Sequence, residues 1–226
     1  MPFELDLQHE VLNYRGTYAR PILELWGKGG IIIDGLLNTL SPHNVRLPQI
    51  QVSANASTAA DVVVVAQVPG AGSVKFSFDK LEFNFTNFSQ EFFESIPNTM
   101  TSLTKWLRAV AVDFKFSSHN FLYSCHSFVK DSTPQNVLET VNPRELKDGG
   151  ITVGNGAIFN YRIPSKSWET KLLIDKSEHI TGGLFVSFEL RINSGEIDYR
   201  EVMLAGRHYL RGILQELNLS LPETQI

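Results

Sequence analysis

The side chains best suited to chemistry in this sequence are two arginines, Arg108 and Arg211, each placed two positions after an aromatic residue, Trp106 or Tyr209. A guanidinium group carries a permanent charge and a planar fork of N–H donors that matches a carboxylate or a phosphate. Together with Arg207, one helical turn before Arg211, these residues form the predicted ligand-binding set. The competing interpretation is a solvated helix face, which is what a stripe of charges usually represents.

Glycine-rich segments offer no nucleotide-binding motif. Residues 27–30, Gly-Lys-Gly-Gly, lack the spacing between glycines that a Walker loop requires. Residues 154–156, Gly-Asn-Gly, lack the third glycine of a dinucleotide fingerprint. We interpret both segments as turns or helix ends and predict that the protein binds no cofactor.

Cysteine and histidine form no recognisable catalytic or metal site. Cys125 and His126 are neighbours, but adjacent residues of a strand point to opposite faces, so this histidine cannot activate this thiol. We therefore expect Cys125 to be buried and inert. The six histidines contain no pair at ligand spacing, which predicts no metal site. No motif selects a catalytic residue, and an enzyme of a class without a short motif is kept as a third alternative.

The second half of the chain echoes the first. Residues 81–85 return as residues 184–188, and residues 105–110 return as residues 208–213, both at the same offset. A unit that recurs once predicts a pair of modules rather than a solenoid.

This repeat predicts the fold class. We expect an α+β protein of two similar, tightly associated modules, residues 1–111 and 112–226, each built as strand, helix, three or four antiparallel strands, helix. The helices are expected on one face of the sheets, which are either separate or continuous. The layout resembles that of gyrase-inhibitor-like effector-binding domains, and the resemblance implies a pocket between the modules.

Local patterns predict the elements of the first module. Alternation predicts a strand over residues 3–14, after which Thr17 is expected to cap a helix that stops at Gly27. Residues 31–40 fit either a second helical piece or a short buried strand. The β-branched run at residues 62–68 is typical of a strand that is buried on both faces.

The alternation of apolar and polar residues shifts by one position at Asp79 and Lys80, and this shift predicts a β-hairpin. A two-residue turn there brings six apolar side chains to one face, in the pairs Phe78 with Leu81, Phe76 with Phe83, and Val74 with Phe85. Aspartate and lysine suit such a turn poorly, so a bulge in one long strand stays the alternative.

Sequence patterns typical of helices predict that each module ends in a helix. Ser89 is expected to cap a helix that runs through Ala111, with Pro97 either bending it or marking its true start. The second module is predicted to contain a strand near residues 114–122, a helical stretch within 134–147, strands at 157–163, 168–175 and 184–192, and a closing helix capped by Asp198. The predicted apolar stripe of that helix is Val202, Gly206, Tyr209, Ile213 and Leu217.

Composition restricts the class of partner. The 226 residues are 42% hydrophobic and 19% charged, as in an ordinary globular protein. The net charge of −4, without a long run of like charges, predicts no nucleic-acid partner. The longest apolar stretch, residues 62–66, is too short to cross a membrane. With one cysteine and no export signal, the sequence predicts a cytoplasmic protein.

We therefore expect a non-enzymatic binding protein. It would recognise a small amphipathic or anionic ligand, or a protein segment, in a cleft between the two modules. The alternative is a structural or assembly protein that self-associates, for example as a homodimer, through a sheet edge or a helix face.

Overall fold

The computed structural model describes residues 2–53, 62–141, 156–163 and 166–222, and these contain ten strands and four helices. The strands are β1 Phe3–Tyr18, β2 Ile50–Ser53, β3 Val63–Val68, β4 Gly72–Phe76, β5 Lys80–Thr86, β6 Phe116–Val129, β7 Ala157–Ile163, β8 Trp168–Lys176, β9 Leu184–Ile192 and β10 Leu219–Ser220. The helices are α1 Gly29–Leu40, α2 Gln90–Val110, α3 Pro134–Val141 and α4 Tyr199–Glu216.

All ten strands belong to one sheet, in the order β2-β3-β4-β5-β1-β6-β9-β8-β7, with β10 paired to β1. The fold is therefore mixed α+β with a large, mainly antiparallel sheet. The predicted helix beyond Val141 and the glycine segment up to Asn155 lie outside the described residues.

The chain forms two compact units. The hairpin unit consists of Leu12–Phe121 with Arg191–Met203, and the cleft unit consists of Met1–Val11, Leu122–Leu190 and Leu204–Ile226. The two modules predicted from the repeat, residues 1–111 and 112–226, stay a prediction.

In the hairpin unit, β4 and β5 form the predicted hairpin, but its register is shifted by two residues. Phe76 pairs with Leu81 and Val74 with Phe83, so the turn consists of Phe78 and Asp79 rather than Asp79 and Lys80. Side-chain chemistry explains the shift, because the single hydroxyl hydrogen of Ser77 is shared between the Asp79 carboxylate at 2.8 Å and the Lys80 carbonyl at 3.1 Å. The alternative of a bulge in one long strand is wrong.

Gly72 closes the other end of the hairpin at a position that excludes a side chain. Its φ is +141°, and a Cβ there would lie 2.0 Å from the backbone oxygen of Asn84. In the register of the hairpin, Gly72 lies opposite Phe85. The side chains of Val74, Phe76, Leu81, Phe83 and Phe85 are all buried as the core of this unit.

β1 continues beyond its predicted end, so the helix expected from Thr17 is wrong. The Tyr18 N–H donates to the carbonyl of Asp79, and the Ala19 N–H donates to that of Lys115. This pairing keeps the backbone extended where the local pattern predicts a helix cap. A short 3-10 helix, Leu23–Lys28, then leads directly into α1, so residues 31–40 are helical.

β3 is buried on one face only, which corrects the expectation of burial on both. Val64, Ala66 and Val68 are buried, whereas Gln67 is exposed. A continuous β-branched run hides this alternation, because Val63 and Val65 have the same hydropathy as the inward residues although they are only half-buried.

α2 begins where the sequence predicts. The Ser89 hydroxyl accepts a hydrogen bond from the Phe92 N–H at 3.2 Å, which confirms the cap. Pro97 lies inside the helix, so the interpretation of Pro97 as the helix start is wrong.

Three predicted strands of the cleft unit hold closely, since β7, β8 and β9 match the expected strands to within one residue. The strand predicted near residues 114–122 is too short, because β6 continues to Val129. α3 packs against β8 and buries Val137 and Leu138.

The cap of α4 is also confirmed, because the Glu201 N–H donates to the Asp198 carboxylate at 2.9 Å. The buried side of α4 continues through Leu210 and Leu214, whereas Ile213 and Leu217 of the predicted stripe are half-buried.

Candidate functional site

Trp106 and Arg108, two of the five predicted ligand-binding residues, have structural contacts in the hairpin unit. Trp106 packs edge-on against Phe76 at 6.0 Å between ring centroids, and its indole occupies the space where a Cβ of Gly35 would lie. Arg108 Nη2 lies 3.0 Å from Glu196 Oε1, in a pair whose side chains are 44% and 81% exposed. Such exposed pairs contribute little to stability.

The other three residues lie on the part of α4 that belongs to the cleft unit. Tyr209 packs edge-on against Trp168, with ring centroids 6.4 Å apart. Arg207 and Arg211 are half-buried, so they do not form a fully solvated charged face. Of the three, Arg211 lines a cleft.

This cleft has a volume of about 400 Å³ and is called here the Arg211 cleft. Its charged lining residues are Arg211, Lys130 and Glu4, so two cations accompany one carboxylate. Leu221 and Pro222 add an apolar wall, and Gln215 and Ser220 add neutral polar groups. Arg207 and Tyr209 are not among its described lining residues.

Short backbone pairings position the charged lining of the Arg211 cleft. β10 runs parallel to the start of β1, with Glu4 opposite Ser220. On the other side, the Lys130 N–H donates to the Glu4 carbonyl at 2.9 Å, just after β6 ends. Arg211 Nη2 donates to the Pro222 carbonyl at 3.4 Å, which holds the guanidinium beside the chain that follows β10.

The electrostatics of the Arg211 cleft favour an anion. Lys130 Nζ donates to Glu4 Oε2 at 2.9 Å, and this hydrogen bond, with the charge of Glu4, raises the pKa of Lys130. The ammonium group therefore stays charged at neutral pH. Arg211 and Lys130 give the described lining two positive charges against the one negative charge of Glu4.

A second polar group, which sequence reasoning missed, lies in the core of the hairpin unit. Tyr14 Oη lies 2.8 Å from His119 Nδ1 and 3.2 Å from Tyr199 Oη, which in turn lies 2.9 Å from Thr104 Oγ1. The four side chains are between 1% and 7% exposed. No sequence signal joins them, because they come from four separate elements of the chain. We call them the Tyr14 network.

Burial keeps the imidazole of the Tyr14 network neutral. It lowers the pKa of His119 to about 4, although the backbone of Gly195 and Ser194 acts in the opposite direction. Burial also raises the pKa of Tyr14 well above its usual value, so that hydroxyl keeps its proton. We assign the His119 proton to Nε2, with Nδ1 accepting from Tyr14. The network orients core side chains rather than exposing a reactive group.

Cys125 is fully buried in the cleft unit, which confirms its expected burial. Burial raises the pKa of its thiol to about 12. We predict that a chromogenic disulfide reagent at pH 8 reacts with native Cys125 at least about a thousandfold more slowly than with the unfolded chain, because the thiolate is scarce and covered. Rapid native reaction would contradict the buried placement.

Tertiary structure gathers three histidines of the cleft unit that are far apart in sequence. The ring centroid of His126 lies 6.0 Å from that of His9 and 4.7 Å from that of His179. Within the described part of the chain, no group of three or more His, Cys, Asp or Glu side chains could hold a metal ion.

Two further findings concern the class of the protein. Among the helices that the structure describes, none has the length and apolar character needed to cross a membrane. No protein-family model matches this chain, and no curated protein is significantly similar to it.

Proposed function

We propose that this protein is a non-enzymatic binding protein that holds a small amphipathic anion in the Arg211 cleft. The observation that carries the proposal is the charge of the lining, where two cations, Arg211 and Lys130, accompany one carboxylate, Glu4. A guanidinium group can donate two parallel hydrogen bonds to a carboxylate.

The size and the apolar wall of the cleft support a small organic molecule. A volume of about 400 Å³ falls within the range of clefts that bind small ligands. Leu221 and Pro222 are half-buried and offer apolar surface beside the cation. A ligand with one carboxylate and a short apolar body satisfies both parts of the lining.

The order of the strands supports the related proposal that the chain is a duplicated unit. Counted outward from β1 the sheet order is β5, β4, β3, β2, and counted outward from β6 it is β9, β8, β7. This order matches β5 with β9, the two strands that contain the repeated residues 81–85 and 184–188. Glu4 comes from the first proposed module, and Lys130 and Arg211 come from the second.

Titration with simple carboxylates tests the proposed function. Hexanoate and benzoate should raise the melting temperature of the wild-type protein, because a ligand that binds only the folded state stabilises it. Hexanamide and benzamide keep the apolar body without the charge and should stabilise it much less. In Arg211→Ala, we expect the dissociation constant for the carboxylates, measured by calorimetry, to rise about 10- to 100-fold.

Two variants serve as controls for Arg211→Ala. Arg200→Ala removes the same charge from an exposed position of the same helix and should bind as the wild type does. Arg108→Ala tests the predicted ligand set, and we expect unchanged binding because Arg108 pairs with Glu196. Equal stabilisation by amides and carboxylates, or unchanged binding in Arg211→Ala, would show that the cleft does not select anions through this residue.

A further inference from the structure

β7 is a terminal strand of the sheet. It pairs with β8 along its whole length, from Ala157 opposite Ile174 to Ile163 opposite Trp168. Among the described residues, no strand pairs with its other side. A terminal strand of seven residues therefore presents backbone N–H and C=O groups that can pair with another chain.

The sequence of β7 lacks the residues by which proteins usually protect such an edge. It contains no proline and no lysine, and its one charged side chain, Arg162, lies 3.0 Å from Glu169 on β8. Ile158 is 57% exposed. Within the described residues, the strand at the opposite end of the sheet, β2, has four residues and so offers a shorter template.

The residues of β7 are self-complementary about Asn160. In an antiparallel pair centred there, Phe159 faces Tyr161 of a second copy, Tyr161 faces its Phe159, and the two Asn160 amides face each other. Phe159 and Tyr161 already stack on one face of the strand, at 6.4 Å and 19°. On the other face, Ile158 meets the aliphatic stem of Arg162 from the second copy.

We propose that β7 pairs with β7 of a second copy of this chain, antiparallel and about a two-fold axis at Asn160. A two-fold interface requires a patch that complements itself, and the pairs around Asn160 meet that requirement. The interface extends the sheet from one subunit to the next and adds four aromatic rings along one face. It is independent of the Arg211 cleft, so either proposal can fail alone.

Cysteine cross-linking tests the interface and its register. Asn160→Cys places two thiols directly opposite each other, at a separation that suits a disulfide in an antiparallel pair. We expect a covalent dimer on a non-reducing gel after mild oxidation of the dilute protein. Cys125 does not interfere, because it is fully buried. Val52→Cys, on the exposed β2 edge, is the matched control and should stay monomeric.

Light scattering and sedimentation test the interface without cross-linking. The wild-type protein should be a dimer, and Asn160→Lys should raise its dissociation constant at least about tenfold because two like charges meet on the axis. Val52→Lys should leave the dimer intact, and circular dichroism should show that both variants are folded. A monomeric wild type, stronger cross-linking through Val52→Cys, or a dimer insensitive to Asn160→Lys would overturn the proposal.

Discussion

Replacing Phe83 with alanine should lower the free energy of unfolding by about 3–5 kcal/mol, the usual cost of truncating a buried phenylalanine. Phe83 is 1% exposed and lies opposite Val74 in the hairpin. Its ring contacts those of Tyr14 and Phe85, with centroids 5.6 and 5.7 Å apart. The substitution therefore removes two aromatic contacts and leaves a cavity in the core of the hairpin unit.

Urea denaturation measures this effect, and Phe128→Ala is the matched control. Phe128 is 41% exposed, so the same truncation leaves no enclosed cavity and should cost clearly less. The slope of the unfolding free energy against urea should stay the same in both variants, which would show that the native state keeps its compactness. Equal costs for the two variants would mean that the hairpin face is not the core.

The protein should lose about 3 kcal/mol of stability through His119 as the pH falls from 6.5 to about 4. Burial lowers the pKa of His119 from 6.5 in the unfolded chain to about 4 in the folded protein. Between these values the unfolded state binds the proton and the folded state does not, so acid favours unfolding. Above pH 6.5 both states are neutral, and this contribution to the pH dependence vanishes.

Comparing the wild type with His119→Gln separates the effect of His119 on the pH dependence of stability from the effects of other titrating groups. Glu10 is one such group, because burial raises its pKa and its contribution has the opposite sign. His119→Gln should flatten the plot of unfolding free energy against pH between pH 4 and 6.5. Tyr14→Phe removes the hydroxyl that bonds Nδ1 but keeps the imidazole buried, so it should lower stability at pH 7 and preserve the slope.

A direct titration provides the second readout. The imidazole resonances of His119 should shift with a midpoint near pH 4, as long as the protein remains folded there. A midpoint near 6.5, or a slope that His119→Gln does not change, would show that the ring is accessible to solvent.

Sequence alone determined the elements whose signals are local. Ser89 and Asp198 cap helices because each side-chain oxygen accepts a hydrogen bond from a backbone N–H in the next turn, so both partners are close in sequence. The strands β8 and β9 follow alternation that one buried face imposes. The hairpin and its buried face were predictable for the same reason, since five of its six predicted core residues are buried.

Tertiary structure decided the features that depend on partners distant in the chain. β1 extends to Tyr18 because Asp79 accepts its N–H, and a helix-cap pattern at Thr17 carries no information about that partner. The hairpin register depends on the hydroxyl of Ser77, which shifts the pairing by two residues while keeping the same face inward.

The candidate sites show the same division between what residue types indicate and what contacts between distant residues decide. The type of residue indicated that Arg211 could bind an anion, but the pairing of β10 with β1 and the hydrogen bond from Arg211 to Pro222 place it in a cleft. The Tyr14 network and the three histidines around His126 were not predictable, because hydrogen bonds and ring contacts between remote residues leave no periodic trace in a sequence. The pairing of strands and the packing of helices bring those side chains within reach of one another.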